Sequence, residues 1–174
     1  HVCRTDRKEE KQIMRHFLRC FLVVALLVTG LLHNAFGQTN LYRGDKAVEA
    51  KLVYSIQNGK VIKKLGTSGN LVVYTIQNNK IYKGNSTSSF DCLYTMRDNK
   101  VYAGDSRFAS DLIYTIKNDQ VYLQDANFGH SIIYTYENRK VYKGDSTFLS
   151  DLIYTVQLDS NSSLAIIACI IGPY

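Results

Sequence analysis

Seven aspartates recur at two fixed positions of a repeated pattern, and carboxylates arranged in columns are candidate ligands for a metal ion. The first column is Asp45, Asp105, Asp125 and Asp145, and the second is Asp91, Asp111 and Asp151. Calcium takes six to eight oxygen ligands, so a ladder of such groups would suit it. Asx side chains in loops also hydrogen-bond the nearby backbone and hold turns. Because Leu65 and Asn85 interrupt the first column, we expect turn capping here, and we expect no metal or other cofactor.

Tyrosines form two further columns, each with a period of 20 residues. The first column is Tyr54, Tyr74, Tyr94, Tyr114, Tyr134 and Tyr154, and the second is Tyr42, Tyr82, Tyr102, Tyr122 and Tyr142, with Ile62 as its exception. A phenol offers an apolar ring and a hydroxyl, so it can stack on a sugar and hydrogen-bond it. The candidate ligand-binding residues are therefore Tyr82, Tyr102, Tyr122, Tyr142, Asp105, Asp125 and Asp145.

Catalytic groups are scarce in the repeated part of the chain. His130 is the one histidine after residue 37, and other copies of the repeat have Ser110 or Ser150 at its position. An enzyme would need a deep pocket around His130. The sequence has no Gly-rich phosphate loop and no nucleophile elbow. We expect that the protein is not an enzyme.

The fixed period predicts a repeat architecture, in which each unit is too small to bury its apolar face alone. Segments such as DLIYTI (111–116) and KVYAG (100–104) are rich in the β-branched and aromatic residues of strands. A strand such as DLIYTI is separated from the strand that follows it by two residues, as at Asn118-Asp119, and these pairs are mostly Asn, Asp or Gly, which tolerate the positive φ angles of a type I′ turn. The sequence predicts six units of one antiparallel hairpin each, with Met96 opposite Val101 and Glu137 opposite Lys140.

Both faces of the predicted strands carry apolar groups, because Leu112, Tyr114 and Ile116 alternate with Ile113 and Thr115. The prediction is an all-β fold of tandem hairpin repeats that form either a stacked, solenoid-like sheet or a closed one, with a C-terminal apolar cap. Phenylalanines recur in the longer loops at Phe108, Phe128 and Phe148, with Phe90 displaced by two residues. We expect these rings to pack against the next repeat, and the alternative is that they form a binding platform.

The chain divides into four segments on this interpretation. Residues 1–13 are expected to lie upstream of the true start at Met14 and not to belong to the protein, while 14–37 form a signal peptide, 38–159 form the six-repeat β domain, and 160–174 form the cap. The signal prediction depends on a basic start, an apolar run and small residues before Gln38. A membrane anchor is the alternative, although the run is shorter than a bilayer span. The apolar run 164–171 is expected to be a short helix or a last strand laid over an exposed edge, and it is too short to span a bilayer.

Charge and cysteine content narrow the function classes. Six of the 21 Lys and Arg residues and three of the 15 Asp and Glu residues precede Gln38, so much of the basic character belongs to the predicted signal. Since the remaining basic residues are spread among acidic ones rather than clustered, we expect no nucleic-acid partner. Cys92 and Cys169 remain in the mature part, either as a disulfide of an exported protein or as two buried free thiols.

The unit IYKGNSTSSFDCLYTM (81–96) resembles the IYxGxSTxxxDxLYTI repeat of uncharacterised bacterial secreted proteins, over about residues 40–157. The chain is similar, more weakly, to the septoil-knot family at Val141, Tyr142, Asp145, Ser146, Asp151 and Leu152. That second resemblance implies a knotted β fold as an alternative, but the 20-residue period is longer than the unit of that family. Neither resemblance implies a known activity.

Taken together, the sequence predicts an exported, non-enzymatic structural or protein-interaction module that is secreted, periplasmic or on the cell surface of a bacterium. The alternative is a carbohydrate-binding, lectin-like module. The expected partner is accordingly a protein or a glycan at the cell surface, and no membrane span is expected after signal cleavage.

Overall fold

The computed structural model describes residues 37–125, 131–157 and 163–172. The predicted upstream segment and signal peptide lie outside these residues, apart from Gly37. Within these residues the regular structure consists of twelve strands, one α-helix and short 3-10 helices. The strands are β1 (Thr39–Arg43), β2 (Leu52–Gln57), β3 (Lys60–Lys64), β4 (Asn70–Gln77), β5 (Lys80–Lys83), β6 (Cys92–Arg97), β7 (Lys100–Ala103), β8 (Leu112–Lys117), β9 (Gln120–Leu123), β10 (Ile132–Glu137), β11 (Lys140–Lys143) and β12 (Leu152–Gln157). The helix is α1 (Leu164–Ile171).

Five tight hairpins follow one another along the chain, and their turns have the predicted chemistry. Both central residues of every turn have positive φ, as in Asn58 (51°) and Gly59 (69°), and even Arg139 has a φ of 62°. These angles are those of a type I′ turn, which matches the twist of the flanking strands. The predicted register is confirmed, because Met96 pairs with Val101 and Glu137 pairs with Lys140.

The twelve strands close into an antiparallel barrel. Each strand pairs with its neighbours along the chain, and β1 pairs with β12. Between β1 and β12, Asn40 pairs with Gln157 and Leu41 pairs with Val156. The β2–β3 hairpin has the same register, in which Lys60 pairs with Gln57 and Val61 pairs with Ile56. The sixth hairpin is therefore assembled from the two ends of the domain.

The prediction of six hairpin units needs one correction, since the sixth is not continuous in sequence. Of the two sheets that the sequence leaves open, the structure has the closed one and not the open stack. A knotted fold is not supported, because the strands follow the chain in order around the barrel.

A column of threonines fastens five of the six hairpins on the outer side, and Ser55 occupies the same position in the β2–β3 hairpin. Thr75 donates from Oγ1 to the carbonyl of Gly84 at 2.8 Å, and Thr95 does the same to Gly104 at 2.7 Å. In the hairpin made from the two chain ends, Thr155 donates to the carbonyl of Gly44 at 2.6 Å. The same bond thus recurs across the closure, which makes β1 and β12 equivalent to an ordinary hairpin.

The inner face of the barrel carries a ring of aliphatic side chains that are wholly inaccessible to solvent. These are Leu41, Val61, Ile81, Val101, Val121 and Val141. Tyrosines of the first column share this face, as the pairing of Val61 with Tyr74 shows. Where consecutive hairpins meet, the register shifts by one residue in a β-bulge, for example between Val61 and Ile62. Bulges bend and twist a strand, and such bending is what a closed barrel of short strands requires.

Helix α1 lies inside the barrel. The consecutive residues Ile167, Ala168, Cys169 and Ile170 are all at most 4% exposed, so a full turn of the helix is covered on every side. They belong to the same apolar cluster as the inner aliphatic ring. Ser163 caps the N-terminus by accepting from the Ile166 amide, and Gly172 ends the helix with a φ of 73°.

Of the two forms that the sequence left open for this segment, the helix is present and the last strand is not, and the predicted position over an exposed edge is wrong. A closed barrel has no exposed edge to cover, and the segment fills the interior instead. Within the described ranges, no helix is both long enough and apolar enough to cross a membrane.

Closure through β1 predicts that a core residue of β1 contributes as much stability as one in the middle of the chain. We expect Leu41→Ala and Ile81→Ala each to lower the free energy of unfolding by about 2–5 kcal/mol, because each leaves a cavity in the inner ring. Chemical denaturation measures both values. Leu71→Ala, at a half-exposed position, should change the value by no more than about 0.5 kcal/mol. A similarly small effect of Leu41→Ala would show that β1 does not complete the barrel.

Candidate functional site

The first acidic column, together with Asn85 at the same position of its repeat, joins four pairs of consecutive hairpins. Lys80 Nζ lies 2.6 Å from Asp105 Oδ1, and Lys100 Nζ lies 3.0 Å from Asp125 Oδ1. Lys60 donates to Asn85, and Gln120 donates to Asp145 at 2.8 Å. The partners are 25 residues apart in every case, so each bond connects the start of one strand to the loop that follows the next hairpin.

The ionisation of this column follows from these contacts. The hydrogen bond to Asp105 raises the pKa of Lys80 and outweighs the opposing effect of desolvation. The first column departs from its pattern at Asp45, which is bound by Lys51 at 3.3 Å. That hydrogen bond holds the pKa of Asp45 below its usual value.

The second acidic column holds the loops themselves. Ser86 donates to Asp91 at 2.6 Å and Ser146 donates to Asp151 at 2.5 Å, while Ser106 donates to Asp111 in the same way. Each serine oxygen also accepts from the amide two residues on, as from Ser88, Phe108 and Phe148. Among the described residues, no group of three or more His, Cys, Asp or Glu side chains could hold a metal ion. The carboxylates of both columns are engaged in building loops.

The sequence-predicted ligand residues do not converge on one cleft. Tyr82, Tyr122 and Tyr142 are buried at 7, 9 and 5% exposure, and Tyr102 is half-buried. They share the outer face with the threonine column, since Tyr82 pairs with Thr75. Asp105, Asp125 and Asp145 are held by the basic or amide side chains described above. Their role in ligand binding stays a prediction, and the burial of the rings favours a packing role.

Loop phenylalanines are exposed, which makes the prediction that they pack against the next repeat wrong. Phe90 is 98% exposed, Phe108 is 76% exposed and Phe148 is 75% exposed. The physical reason is that Ser–Asp bonds hold the loops and helix α1 occupies the interior, so the fold leaves these rings no apolar space. Leu149, next to Phe148, is also 72% exposed. Phe128 and His130, the candidate catalytic residue, lie outside the described residues.

Each described phenylalanine stands at the start of a one-turn 3-10 helix or within it. Phe108 and Phe148 directly precede the segments Ala109–Asp111 and Leu149–Asp151, and Phe90 lies inside Ser89–Asp91. The amide of Asp111 donates to the carbonyl of Phe108 at 3.0 Å, and the amide of Asp151 donates to the carbonyl of Phe148 at the same distance. The rings are therefore presented on ordered loops. The sequence signal for them is their recurrence in the loops, but recurrence alone does not reveal exposure.

Cys169 and Tyr114 are two of the ionisable groups that are buried in the barrel. Burial raises the pKa of the Cys169 thiol to about 12, so this thiol is inert at neutral pH. Cys92 and Cys169 are both free and buried, which excludes the disulfide and agrees with the alternative of two buried thiols. Burial likewise raises the pKa of Tyr114 to about 12, with smaller contributions from Tyr94 and Cys169. The phenol of Tyr134 donates to the carbonyl of Gly172 at the end of helix α1.

These buried phenols predict a loss of stability in strong alkali. A phenol whose pKa is higher in the folded state stabilises the fold fully below the unfolded pKa near 10, and this contribution is lost as the pH rises towards 12. Between about pH 10 and pH 12, ionisation of Tyr114 alone should lower the free energy of unfolding by about 3 kcal/mol. Denaturation at several pH values would measure the slope, and Tyr114→Phe should make it shallower. An unchanged slope in Tyr114→Phe would contradict the burial of this phenol in its neutral form.

Comparison with known proteins agrees with the geometry of the barrel. The family described as 6-fold beta flower protein matches residues 41–169, which run from β1 into helix α1 and include all six hairpins. No curated protein and no solved structure matches the chain significantly. Since the match covers more than half of the chain, the protein belongs to the 6-fold beta flower family.

Proposed function

We propose that the protein is an exported, non-enzymatic protein-interaction module of the bacterial cell envelope or exterior. Its closed barrel acts as a rigid frame, and its loops bind a partner protein. The single observation that carries this proposal is the exposure of Phe90, Phe108 and Phe148 at 75% or more. The three rings lie on connections at the same end of the antiparallel barrel, and aromatic residues are enriched at the cores of protein interfaces.

The order of the loops supports the same proposal. Each described phenylalanine lies on a loop held by a Ser–Asp bond, as between Ser146 and Asp151, and by a 3-10 turn. A loop that is already in its bound conformation loses little entropy on association. A frame closed by β1 and β12 fixes the loops relative to one another, so several rings can contact one partner together.

Export remains part of the proposal. It is supported by the basic start, the apolar run and the small residues before Gln38. The relation to bacterial secreted proteins with the IYxGxSTxxxDxLYTI repeat belongs to the same proposal. The absence of enzymatic activity is proposed because the recurring aspartates are engaged in loop and inter-hairpin bonds.

A protein partner is favoured over a glycan by the position of the tyrosines. A lectin would need open ring faces beside free hydrogen-bonding groups. Tyr82, Tyr122 and Tyr142 are buried, and Asp105 is bound by Lys80. The exposed aromatic residues are phenylalanines, which bring no hydrogen-bonding group of their own.

The experiment begins with a photo-crosslinking amino acid at position 108 and, as a control, at position 117 near a hairpin turn. The purified variants are added to cell envelopes of the organism that produces the protein. A partner that is crosslinked by the variant with the label at position 108, and not by the variant with the label at position 117, is identified and purified. We expect the variant F90S/F108S/F148S to raise the Kd for that partner at least about tenfold, since each lost aromatic contact removes buried apolar area. Calorimetry measures the affinity.

The matched control is V48S/L65S/L71S, which removes three exposed apolar side chains at 42–50% exposure, two of them in the first two long loops and the third near the start of β4. It should leave the Kd within about twofold, which corresponds to roughly 0.4 kcal/mol. Equal affinity of the phenylalanine variant and the unmodified protein would refute the proposal. So would strong binding to a glycan array together with no captured protein.

A further inference from the structure

A further column of residues carries an unusual distribution of charge. It lies at the end of the barrel where the longer loops connect consecutive hairpins, which we call the loop end. It follows the second tyrosine column by one residue and consists of Arg43, Lys63, Lys83, Ala103, Leu123 and Lys143. Its members pair directly with the inner tyrosines, as Arg43 does with Tyr154 and Lys63 with Tyr54. Residues directly opposite each other share a face of a sheet. This column therefore lies on the face that lines the barrel, at its loop end.

Four of these six residues are basic, and they are consecutive around the barrel. Lys143, Arg43, Lys63 and Lys83 lie on β11, β1, β3 and β5, which are alternate strands in the closed order. Neighbouring strands are about 4.8 Å apart, so consecutive cations are spaced by roughly 10 Å. We call these four residues the basic arc. Ala103 and Leu123 complete the ring and leave its remaining third uncharged.

The charges of the basic arc are not neutralised by the protein where the structure describes it. None of the four cations forms an ion pair with a described carboxylate, whereas Lys80 and Lys100 on the outer side do. Arg43, Lys83 and Lys143 are exposed, and Lys63 is half-buried. Cations held on one arc repel one another, and an anionic partner would relieve that repulsion.

A pocket of about 360 Å³ lies between two members of the arc. Arg43, Lys143 and Tyr154 line it, together with Ser150 and Asp151. The Oδ2 atom of Asp151 already accepts from Ser146, so this carboxylate belongs to the loop. Ser150 follows the exposed Phe148 and Leu149 in the same turn. An apolar surface and two cations are therefore adjacent at this pocket.

We propose that the basic arc binds an acidic polypeptide segment of the partner, with one carboxylate in the pocket between Arg43 and Lys143. Apolar side chains of the same segment pack on Phe148 and Leu149. This inference rests on the proposed function, because it specifies the chemistry of the protein that the loops bind. A polypeptide fits better than an acidic polysaccharide because the groups beside the cations are apolar, whereas sugar hydroxyls require hydrogen-bonding partners.

The test uses charge reversal with a control of equal net charge. R43E/K143E removes the cations of the pocket, and K63E/K83E reverses the rest of the arc, which keeps the test possible if a change in β1 impairs folding. R97E/K117E changes the net charge by the same amount at two exposed positions near the hairpin turns. The probes are a fluorescein-labelled 12-residue peptide of Glu and Leu, the same peptide with Gln for Glu, and hyaluronate fragments.

Fluorescence anisotropy should show the Glu–Leu peptide binding at least about tenfold more tightly than the Gln–Leu peptide. We expect R43E/K143E and K63E/K83E each to raise the Kd for the Glu–Leu peptide about tenfold or more, and R97E/K117E to change it by less than about threefold. Equal effects of all three pairs would overturn the inference, since net charge alone would then explain binding. Tighter binding of hyaluronate than of either peptide would also overturn it.

Failure of this inference can be told apart from failure of the proposed function. If the crosslinked partner loses affinity for F90S/F108S/F148S but binds R43E/K143E and K63E/K83E normally, the loops bind a protein and the acidic segment is wrong. Loss of partner affinity in both arc variants, with R97E/K117E unaffected, supports the acidic segment.

Discussion

The pairing of β1 with β12 is the interaction on which the rest of the structure depends. The strands are only four to eight residues long, and an isolated hairpin of that size is marginal in water. Each hairpin is therefore stabilised by its neighbours, and an open row would leave two free edges that invite association. The pairing of Leu41 with Val156 removes both edges at once, because it makes a hairpin from residues far apart in sequence.

Closure creates a second constraint, which is the volume that it encloses. A barrel of eight strands is just filled by its own side chains, and a twelve-stranded barrel is wider. The chain fills the added space with large tyrosines on the inner face and with helix α1, whose residues Ile167 to Ile170 are buried. The phenol of Tyr134 donates a hydrogen bond to the carbonyl of Gly172, directly after the end of that helix. The inner tyrosines thus serve the fold, which explains why they recur without exception at positions 54 to 154.

Local features of the fold could be predicted from sequence because they depend on a few adjacent residues. Turn pairs such as Asn78 and Asn79 specify positive φ, and the turn then sets the register of its hairpin. The location of helix α1 could not be predicted in this way, since it depends on a barrel whose first and last strands are distant in sequence. The same holds for Phe108 and Phe148. The sequence shows that these phenylalanines recur in the loops. Their exposure depends on the barrel interior, which is already filled by other side chains.

Comparison of equivalent positions separates the parts of each repeat that build the barrel from those that are free to differ. The inner aliphatic position is occupied by Leu, Val or Ile in all six hairpins, and the position of Thr75 holds Thr or Ser throughout. The position directly after the second tyrosine column, which contains the basic arc, varies from Arg43 and Lys63 to Ala103 and Leu123, although the backbone presents each side chain in the same way. A partner bound once in every repeat would require the same residue six times. The division of this column into four consecutive basic residues and two uncharged ones therefore favours one asymmetric partner, which contacts several repeats of a nearly symmetric frame at once.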